Sequence, residues 1–534
     1  MMLSLGGMRN TRWLGAVVLL GATFAVGAAG NDSLLRALWP AMVAIGVIVL
    51  LKEATVGLAC GVAAAALLLA GGDPIKALRL ALVDHLFPAM QGPWRIGALV
   101  FTLVLGSFAG ILERSGGFEA LLRSFLTGKQ NGERNLLGGA YGVGLLCFFD
   151  GLASSLLTGR IARPLADRAG VSRERLAWVV DSTGSPVACV AFISTWIATQ
   201  LSLIEQGLKG APFKVEPYAL FFQSVPANAY CLLTLLLVPV AIWAGYQPRA
   251  MRCFKSLPPE EIDAAPVDLP RAWVVLVPLA VLVLGILGGF PLLAGERVDV
   301  LTVEGWKRAF SGDAGPYALV FGSVAGWLAA MLCFPAKRRP EAAVAAVQGA
   351  GSLIPALVVL IFAWSLGSLF VALGTTEHIA GLLAGGTPVA WLPLVVFVVG
   401  SSMAFTTGSS WGTMGLLMPL ALPASLAACA AAGMPPAESQ TLATMVIGAV
   451  FGGATLGDHC SPFSDTTIVS ALASGCKTTD HVSSQLPFAA MAALAACAAY
   501  AMMAMQVPSA LATLIAAAML VAWVGVLAKS AVRR

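Results

Sequence analysis

Apolar residues run in long blocks along this chain, and short stretches between the blocks hold most of the charge. Twelve blocks approach the ~20 residues that a helix needs to cross the hydrocarbon of a bilayer. They lie near residues 13–29, 34–51, 55–71, 94–113, 176–204, 219–246, 272–293, 316–334, 349–374, 441–473, 485–505 and 508–528. The pattern predicts an all-α polytopic membrane protein with about 12 transmembrane helices.

The composition supports the same class. Of the 534 residues, 58% are hydrophobic and 11% are charged, whereas soluble domains carry about 25% charged residues. The formal net charge of +5 is small and lies mostly in loops, so it indicates orientation in a membrane and not a nucleic-acid partner. The ten cysteines are scattered without a C-x-x-C pair, which argues against a disulfide framework or a zinc ribbon.

Basic residues predict which side each loop faces, because Lys and Arg concentrate in cytoplasmic loops. They cluster in residues 160–175, 247–271 and 337–339 and at the C-terminus. We therefore expect both termini in the cytoplasm. The first 31 residues also resemble a cleaved signal peptide, with two arginines before an apolar run. A retained first helix is the interpretation that we adopt, and cleavage stays open.

Two apolar stretches, 136–158 and 389–430, do not fit as single crossings. Basic loops flank the first stretch on both ends, so a single crossing would place one of them on the wrong side. A re-entrant hairpin that turns near Asp150 and Gly151 resolves the conflict. The second stretch behaves as its mirror, with residues 406–412 at its turn. We name these stretches hairpin one and hairpin two.

Counting spans and hairpins predicts two halves of opposite orientation, a plan that recurs in secondary transporters, whose site lies between the repeats. Each half contains a hairpin followed by a span with an Asp shortly before Ser-Pro, in "DSTGSP" (181–186) and "GDHCSP" (457–462). The predicted boundaries are a leading helix at 1–33, a first repeat at 34–246 with a broken helix at 176–204, a cytoplasmic linker at 247–271, a second repeat at 272–505 with a broken helix at 441–473, and a final helix with a basic tail at 506–534.

Four carboxylates fall inside these apolar segments: Asp150, Asp181, Asp458 and Asp465. A charged side chain at the centre of a bilayer costs at least about 2.5–3.5 kcal/mol, so each needs a partner. A carboxylate held away from water also accepts a proton more readily than an exposed one. Such a group can bind a proton or a hard cation such as Na⁺, which prefers oxygen ligands. The four residues are therefore the predicted cation- and proton-binding groups.

Breaks in the helices would supply further ligands, because proline removes a backbone donor and clashes with the preceding turn. We expect Pro186 and Pro462 to interrupt their helices and to free carbonyls for a cation. Hydroxyl groups near the breaks and hairpin turns are the predicted neutral ligands, namely Ser182, Thr183, Ser185, Ser409, Ser410, Ser461 and Ser464, with Thr466 in addition.

Each assignment has a structural alternative. Asp181 and Asp458 can instead cap half-helices. His459 is either a proton relay or the donor of a structural hydrogen bond between helices. Asp458, His459 and Cys460 are adjacent and point in different directions, which argues against a metal site there. We therefore expect no cofactor and no metal beyond transported Na⁺.

One motif points to an enzyme. Residues 408–412 match G-x-S-x-G, the nucleophile elbow of hydrolases. That elbow needs a strand before it and a helix after it, whereas long apolar helical runs flank this one. Small residues and hydroxyls also suit the turn of a hairpin. We therefore predict that the chain is not an enzyme. No Walker sequence is present, which argues against ATP-driven transport on this chain.

The motif segments resemble the NhaC-type sodium/proton antiporter family of the wider ion-transporter superfamily. The resemblance rests on "FGGATLGDHCSPFSDTTIVSA" (451–471), "FTTGSSWGTMGLLMPLALP" (405–423), "RPLADRAGVSRERLAWVVDSTGSPVACVAFISTW" (163–196) and "FFD" (148–150). It implies a prokaryotic inner-membrane secondary transporter with inverted repeats, two re-entrant hairpins and an elevator-type movement. It also implies coupling to sodium or protons, and by analogy a homodimer.

The first hairpin departs from the family pattern. Where the family usually reads "FFDDYANTL", this chain reads "FFDGLASSL" (148–156), with Gly151 in place of a second carboxylate. The departure leaves the ion stoichiometry open.

The sequence thus predicts a sodium/proton antiporter in which intramembrane carboxylates bind Na⁺ or H⁺ alternately. The alternative is a sodium- or proton-coupled transporter or exchanger of a small organic carboxylate or amino acid. A non-transporting membrane scaffold fits poorly with four intramembrane carboxylates.

Overall fold

The structure is a computed structural model that describes residues 2–28, 34–126, 132–256, 271–295, 298–310, 313–375, 378 and 388–532. Every regular element in these residues is helical. The predicted linker segment "PPEEIDAAP" (258–266) lies outside them.

The helices of the first half begin with the leading helix. They are α1 (Met2–Ala28), α2 (Leu34–Leu51), α3 (Ala54–Leu69), α4 (Pro74–Arg79), a π-helical stretch (Leu80–Leu86), α5 (Phe87–Ala89), α6 (Pro93–Ser115), α7 (Gly117–Leu126), α8 (Glu133–Leu146), α9 (Gly151–Arg168), α10 (Arg173–Val190), α11 (Thr195–Gly207), α12 (Pro217–Ser224), a 3₁₀ turn (Val225–Ala227), α13 (Ala229–Ala244) and α14 (Arg249–Arg252).

The helices of the second half follow the linker. They are α15 (Trp273–Leu293), α16 (Val303–Phe310), α17 (Gly315–Cys333), a 3₁₀ turn (Ala336–Arg338), α18 (Arg339–Ser352), α19 (Ile354–Ala372), a 3₁₀ turn (Val389–Trp391), α20 (Leu392–Thr407), α21 (Ser410–Ala431), α22 (Pro436–Cys460), α23 (Asp465–Ser474), α24 (Thr478–Ala504) and α25 (Ser509–Val532).

The all-helical class and the multi-pass character are confirmed, but the count of twelve crossings is not. Nine helices in the described part of the chain are long and apolar enough to cross a membrane, or eleven if each of two bent pairs forms one span. The leading helices α1, α2 and α3 offer shorter apolar runs. Both arms of hairpin two, 19 and 22 residues long, pass the same test. Membrane re-entry and the inverted repeat therefore stay predictions.

Both predicted hairpins are pairs of packed helices joined by a short turn. Hairpin one consists of α8 and α9, and hairpin two of α20 and α21. The predicted turns lie where the helices break, at residues 147–150 and at Gly408 and Ser409.

Both predicted broken helices are interrupted, but one prediction about the cause was wrong. In the second broken span (α22 and α23), the break covers residues 461–464 and includes Pro462 as predicted. In the first broken span (α10 and α11), Pro186 lies inside α10, and the helix continues to Val190. The break follows at residues 191–194 and bends the span by 44°. A proline removes one hydrogen bond of its own helix, and α10 accommodates Pro186 without opening at that residue.

A third interruption was not predicted. The span expected at 219–246 bends by 53° at Asn228, between the 3₁₀ turn and α13. Pro226 lies in that turn.

Glycines let hairpin two and α22 approach closely. A Cβ added at Gly457 would clash with Ala404 Cβ and the backbone nitrogen of Phe405 in α20. A Cβ at Gly453 would lie 2.7 Å from the carbonyl oxygen of Phe397. Small residues at helix interfaces allow such packing in membranes, where no hydrophobic force joins the helices. Hairpin two and α22 therefore form one tightly packed unit.

We predict that Gly457→Ala lowers the thermal stability of the purified protein. The added methyl meets backbone that cannot yield, and overpacking of a core costs about 1–3 kcal/mol. Gly142→Ala is the matched control, because its Cβ would meet nothing within 4 Å. Thermal unfolding in detergent should show a lower midpoint for Gly457→Ala alone. Equal midpoints for both variants would contradict the close packing.

Candidate functional site

At the break in the first broken span, one serine side chain bonds to backbone groups on both sides of the break. The buried Ser194 hydroxyl donates to the carbonyl of Ala188 (2.7 Å) and accepts from the N–H groups of Trp196 and Ile197 (3.2 and 3.1 Å). It therefore satisfies a free carbonyl of α10 and caps α11 at once. Gln200 donates to the next carbonyl, that of Cys189, at 3.0 Å. The break lies where these side chains can replace the lost helical bonds.

The turn of hairpin one packs on this break. The backbone nitrogen of Thr195 donates to the carbonyl of Phe149 (2.8 Å), and the Thr195 hydroxyl donates to Asp150 Oδ2 (2.9 Å). Asp150 Oδ1 accepts from the backbone nitrogen of Ala153 (2.7 Å) and so caps α9. Asp150 is buried and both of its oxygens have partners.

Hairpin two packs on the second break in the same way. Gly408 adopts a left-handed conformation (φ +67°), and a Cβ on it would lie 2.8 Å from the backbone of Phe463. The next residue, Ser409, caps α21 by accepting from the backbone nitrogen of Gly412 (3.0 Å). Each hairpin turn therefore contacts the break in the span that follows it.

Asp458, at the end of α22, is fully buried and surrounded by hydroxyl groups. Its Oδ1 accepts a hydrogen bond from Ser464, and its Oδ2 accepts from Thr466 (2.9 Å) and Ser185 (3.4 Å). The three hydroxyls come from the second break, from α23 and from α10. Two carboxylate and three hydroxyl oxygens thus meet at one point, a donor set that suits a hard cation.

Asp181, in the middle of α10, is equally buried but differently partnered. Four side chains of the second half donate to its carboxylate. They are Thr467 (3.4 Å), Ser470 (3.2 Å), His481 (3.1 Å) and Gln485 (2.7 Å). Both oxygens of Asp181 are therefore occupied by donors, with an imidazole as one of them.

His459 is held by a hydrogen bond at each ring nitrogen. Nε2 lies 3.1 Å from the carbonyl oxygen of Asp181, and Nδ1 lies 3.0 Å from the hydroxyl of Tyr230. A carbonyl only accepts, so Nε2 carries the proton and donates, and the neutral ring accepts from Tyr230 at Nδ1. Of the two roles considered for His459, this geometry favours the structural hydrogen bond between helices.

Asp465 differs from the other three carboxylates because it is exposed, whereas Asp150, Asp181 and Asp458 are buried. It lies close enough to Asp150, Asp181 and Asp458 for the like charges to interact. No Lys or Arg side chain in the described residues forms an ion pair with any of the four.

The remaining predicted ligands do not hydrogen-bond the four carboxylates. The Thr183 hydroxyl donates to its own helix at the carbonyl of Val179 (2.6 Å). The Ser461 hydroxyl accepts from the backbone nitrogen of Phe463 (3.3 Å). Ser182 is buried, and the Ser410 hydroxyl is buried without a partner. A ligand role for these residues and for Ser409 stays a prediction.

Sequence reasoning missed the partners of Asp181. His481, Ser484 and Gln485 are polar residues at positions i, i+3 and i+4 of α24, and all three are buried. Residues at that spacing share one face of a helix. A polar face on an otherwise apolar helix was the signal that could have identified them.

Comparison with known proteins places the chain among transporters. The model of the Na⁺/H⁺ antiporter family matches residues 187–505. An uncharacterized protein of Haemophilus influenzae is 29% identical over 478 residues, which cover 86% of this chain and 89% of that protein.

Two solved structures superpose on this chain to different degrees. The YdaH transporter of Alcanivorax borkumensis superposes with a TM-score of 0.53 at 16% identity, over 80% of this chain and 88% of that one. MtrF of Neisseria gonorrhoeae, described with a class of antimetabolite efflux pumps, gives a TM-score of 0.45 at 14% identity, over 83% and 85%. At this identity the first likeness concerns the fold alone.

We predict that Gln485→Leu destabilises the protein. The Gln485 amide donates to Asp181 Oδ2 (2.7 Å) and to the carbonyl of His459 (2.6 Å), and its loss leaves two buried acceptors short of a donor. An unmet buried acceptor costs about 1–3 kcal/mol. Gln440→Leu removes an exposed amide pair with Gln223 and is the control. Thermal unfolding of both variants checks this, and a stable Gln485→Leu would mean that Asp181 does not need that donor.

Proposed function

Because the chain belongs to the Na⁺/H⁺ antiporter family, we propose that this secondary transporter exchanges Na⁺ for H⁺ at Asp458. The observation that carries the proposal is a set of five oxygen atoms, namely the two of the buried Asp458 carboxylate and three that hydrogen-bond to it. Three of them belong to hydroxyls, which can turn a lone pair towards a cation instead of donating to the carboxylate.

Exchange follows from competition for this one carboxylate. With Na⁺ bound, the negative charge of Asp458 is balanced by the cation and the hydroxyl oxygens of Ser185, Ser464 and Thr466 serve as ligands. With a proton bound, the carboxyl group is neutral and no longer attracts a cation. A buried carboxylate is costly without either partner, so the empty charged form is disfavoured. One occupant therefore replaces the other.

The other carboxylates take separate roles in this proposal. Asp465 is exposed and attracts cations from water towards Asp458. Asp150 holds the turn of hairpin one on the first break through Thr195. Asp181 has a structural role. Its oxygens accept hydrogen bonds from four side chains of the second half and so hold the two halves together.

An inverted repeat with elevator-type movement belongs to the same proposal. It is supported by the matching contacts of the two hairpin turns, each of which lies on the break of the following span. The hairpins and broken spans would move together as one unit. A prokaryotic inner membrane, cytoplasmic termini and a homodimer complete the proposal on the basis of the basic loops and the family resemblance.

Inorganic cations are the favoured substrate. The side chains that hydrogen-bond the Asp458 carboxylate all do so through neutral hydroxyl groups, a set of oxygens that suits a metal cation and not an organic anion. A coupled carboxylate or amino-acid transporter remains the outcome to examine if sodium alone gives no exchange.

The test uses proteoliposomes that contain a pH dye and an outward proton gradient, with Na⁺ added outside. We expect proton efflux that Na⁺ drives, Li⁺ partly reproduces and K⁺ does not. Asp458→Asn should retain the fold and reduce the rate to less than about one-tenth, since a charge-assisted contact of ~1.5–3 kcal/mol changes binding about ten- to a hundredfold. Asp299→Asn, in an exposed loop, is the control. Retained exchange in folded Asp458→Asn would remove Asp458 from the mechanism.

The departure at Gly151 gives a second test. A Cβ on Gly151 would lie 3.5 Å from Ser185 Cα, an ordinary contact, so a side chain fits there. Gly151→Asp should fold normally and place a second carboxylate beside Ser185. We therefore expect a higher ratio of Na⁺ to H⁺ transported per cycle. The ratio is measured as the Na⁺ gradient that halts flux at a known membrane potential. Gly151→Asn matches the size without the charge, so the same shift in both variants would argue against a charge effect.

A further inference from the structure

A lysine from outside the motif segments reaches the turn of hairpin two. Lys52 lies in the two-residue connection between α2 and α3, in a left-handed conformation (φ 61°). Apart from glycine, only Gln506 shares a positive φ within the described ranges. Non-glycine residues adopt this conformation where surrounding contacts enforce it, and such positions concentrate at functional sites.

The Lys52 side chain joins hairpin two to the second break. Its Nζ donates to the carbonyl oxygen of Thr406 (2.5 Å) in the last turn of α20, and it lies 4.3 Å from the centre of the Phe463 ring. The neighbouring Ala54 packs against hairpin two, because a Cβ on Gly412 would lie 3.0 Å from Ala54 Cβ. The connection between α2 and α3 is therefore seated on the turn of hairpin two.

The surroundings of this ammonium are those of a bound cation. Carbonyls in the last turn of a helix lack intrahelical donors and carry the negative end of the helix dipole. The face of an aromatic ring also attracts a cation. At the corresponding turn of hairpin one, the charged group is the Asp150 carboxylate. The charged groups that lie at the two hairpin turns, Asp150 at the first and Lys52 at the second, therefore have opposite sign.

We propose that the Lys52 ammonium is a built-in cation that occupies the turn of hairpin two, so that no transported cation binds there. Lys52 would thereby set the number of cations moved per cycle, a role that rests on the proposed exchange at Asp458. An uncharged residue at position 52 leaves the end of α20 and the Phe463 ring without a cation, and the second lone pair of the Thr406 carbonyl can then accept one from solution.

The experiment counts Na⁺ on the purified full-length protein by ²²Na⁺ binding and measures the Na⁺ dependence of exchange in proteoliposomes. Lys52→Met removes the charge and the donor, Lys52→Gln removes the charge but keeps an N–H donor, and Lys52→Arg keeps both. Lys76→Gln is the matched control on an exposed lysine. We expect Lys52→Met and Lys52→Gln to bind one more Na⁺ per chain and to show a steeper Na⁺ dependence, with Lys52→Arg and Lys76→Gln like wild type.

Other outcomes overturn the inference. If Lys52→Gln behaves like Lys52→Arg, the hydrogen bond matters and the charge does not. An unchanged number of bound Na⁺ in Lys52→Gln overturns the inference. The comparison of Lys52→Gln with Lys52→Arg is sufficient if Lys52→Met fails to fold. Failure of the proposed exchange is a separate result, because it would appear as wild-type protein without Na⁺-driven proton movement.

Discussion

The reciprocal burial of two carboxylates, one from each half of the chain, is the constraint on which the structure depends. Asp181 receives its hydrogen bonds from residues beyond position 464, and Asp458 receives one of its three from Ser185 in the first half. A buried carboxylate without partners is strongly destabilising. The two broken spans must therefore cross where these side chains meet, and the helix breaks bring hydroxyls to that crossing.

Protein groups satisfy free backbone groups at the first break and cover the second. Ser194 closes the first break from within, and the turn of hairpin one adds a backbone hydrogen bond from Thr195 to Phe149. Gly408 permits the equivalent close contact with Phe463 at the second break. Irregular backbone at membrane depth is tolerated only where protein or a water-filled cavity covers it. The hairpins thus complete the broken spans.

Hydrophobic blocks and proline positions predicted much of the architecture, including both hairpin turns, the break at Pro462 and the buried position of Asp181 and Asp458. The break near Pro186 was misplaced because tertiary hydrogen bonds from Ser194 and Gln200 decide where a helix can open. His481 and Gln485 were missed because they lie about 300 residues from the Asp181 they serve. The number of membrane crossings could not be predicted from the sequence, because several helices are close to the minimum length that crosses the hydrocarbon.

The dependence of Asp181 on the second half has a consequence for synthesis. Gln485 follows Asp181 by 304 residues, which a ribosome adds in about 15–60 s at ~5–20 residues per second. During most of that interval the first half has already been made while its central carboxylate lacks these donors. A nascent chain at this stage must keep Asp181 near water, bind it to an insertion factor, or leave α10 outside the bilayer. Assembly of this protein is therefore completed only after nearly the whole chain has been made.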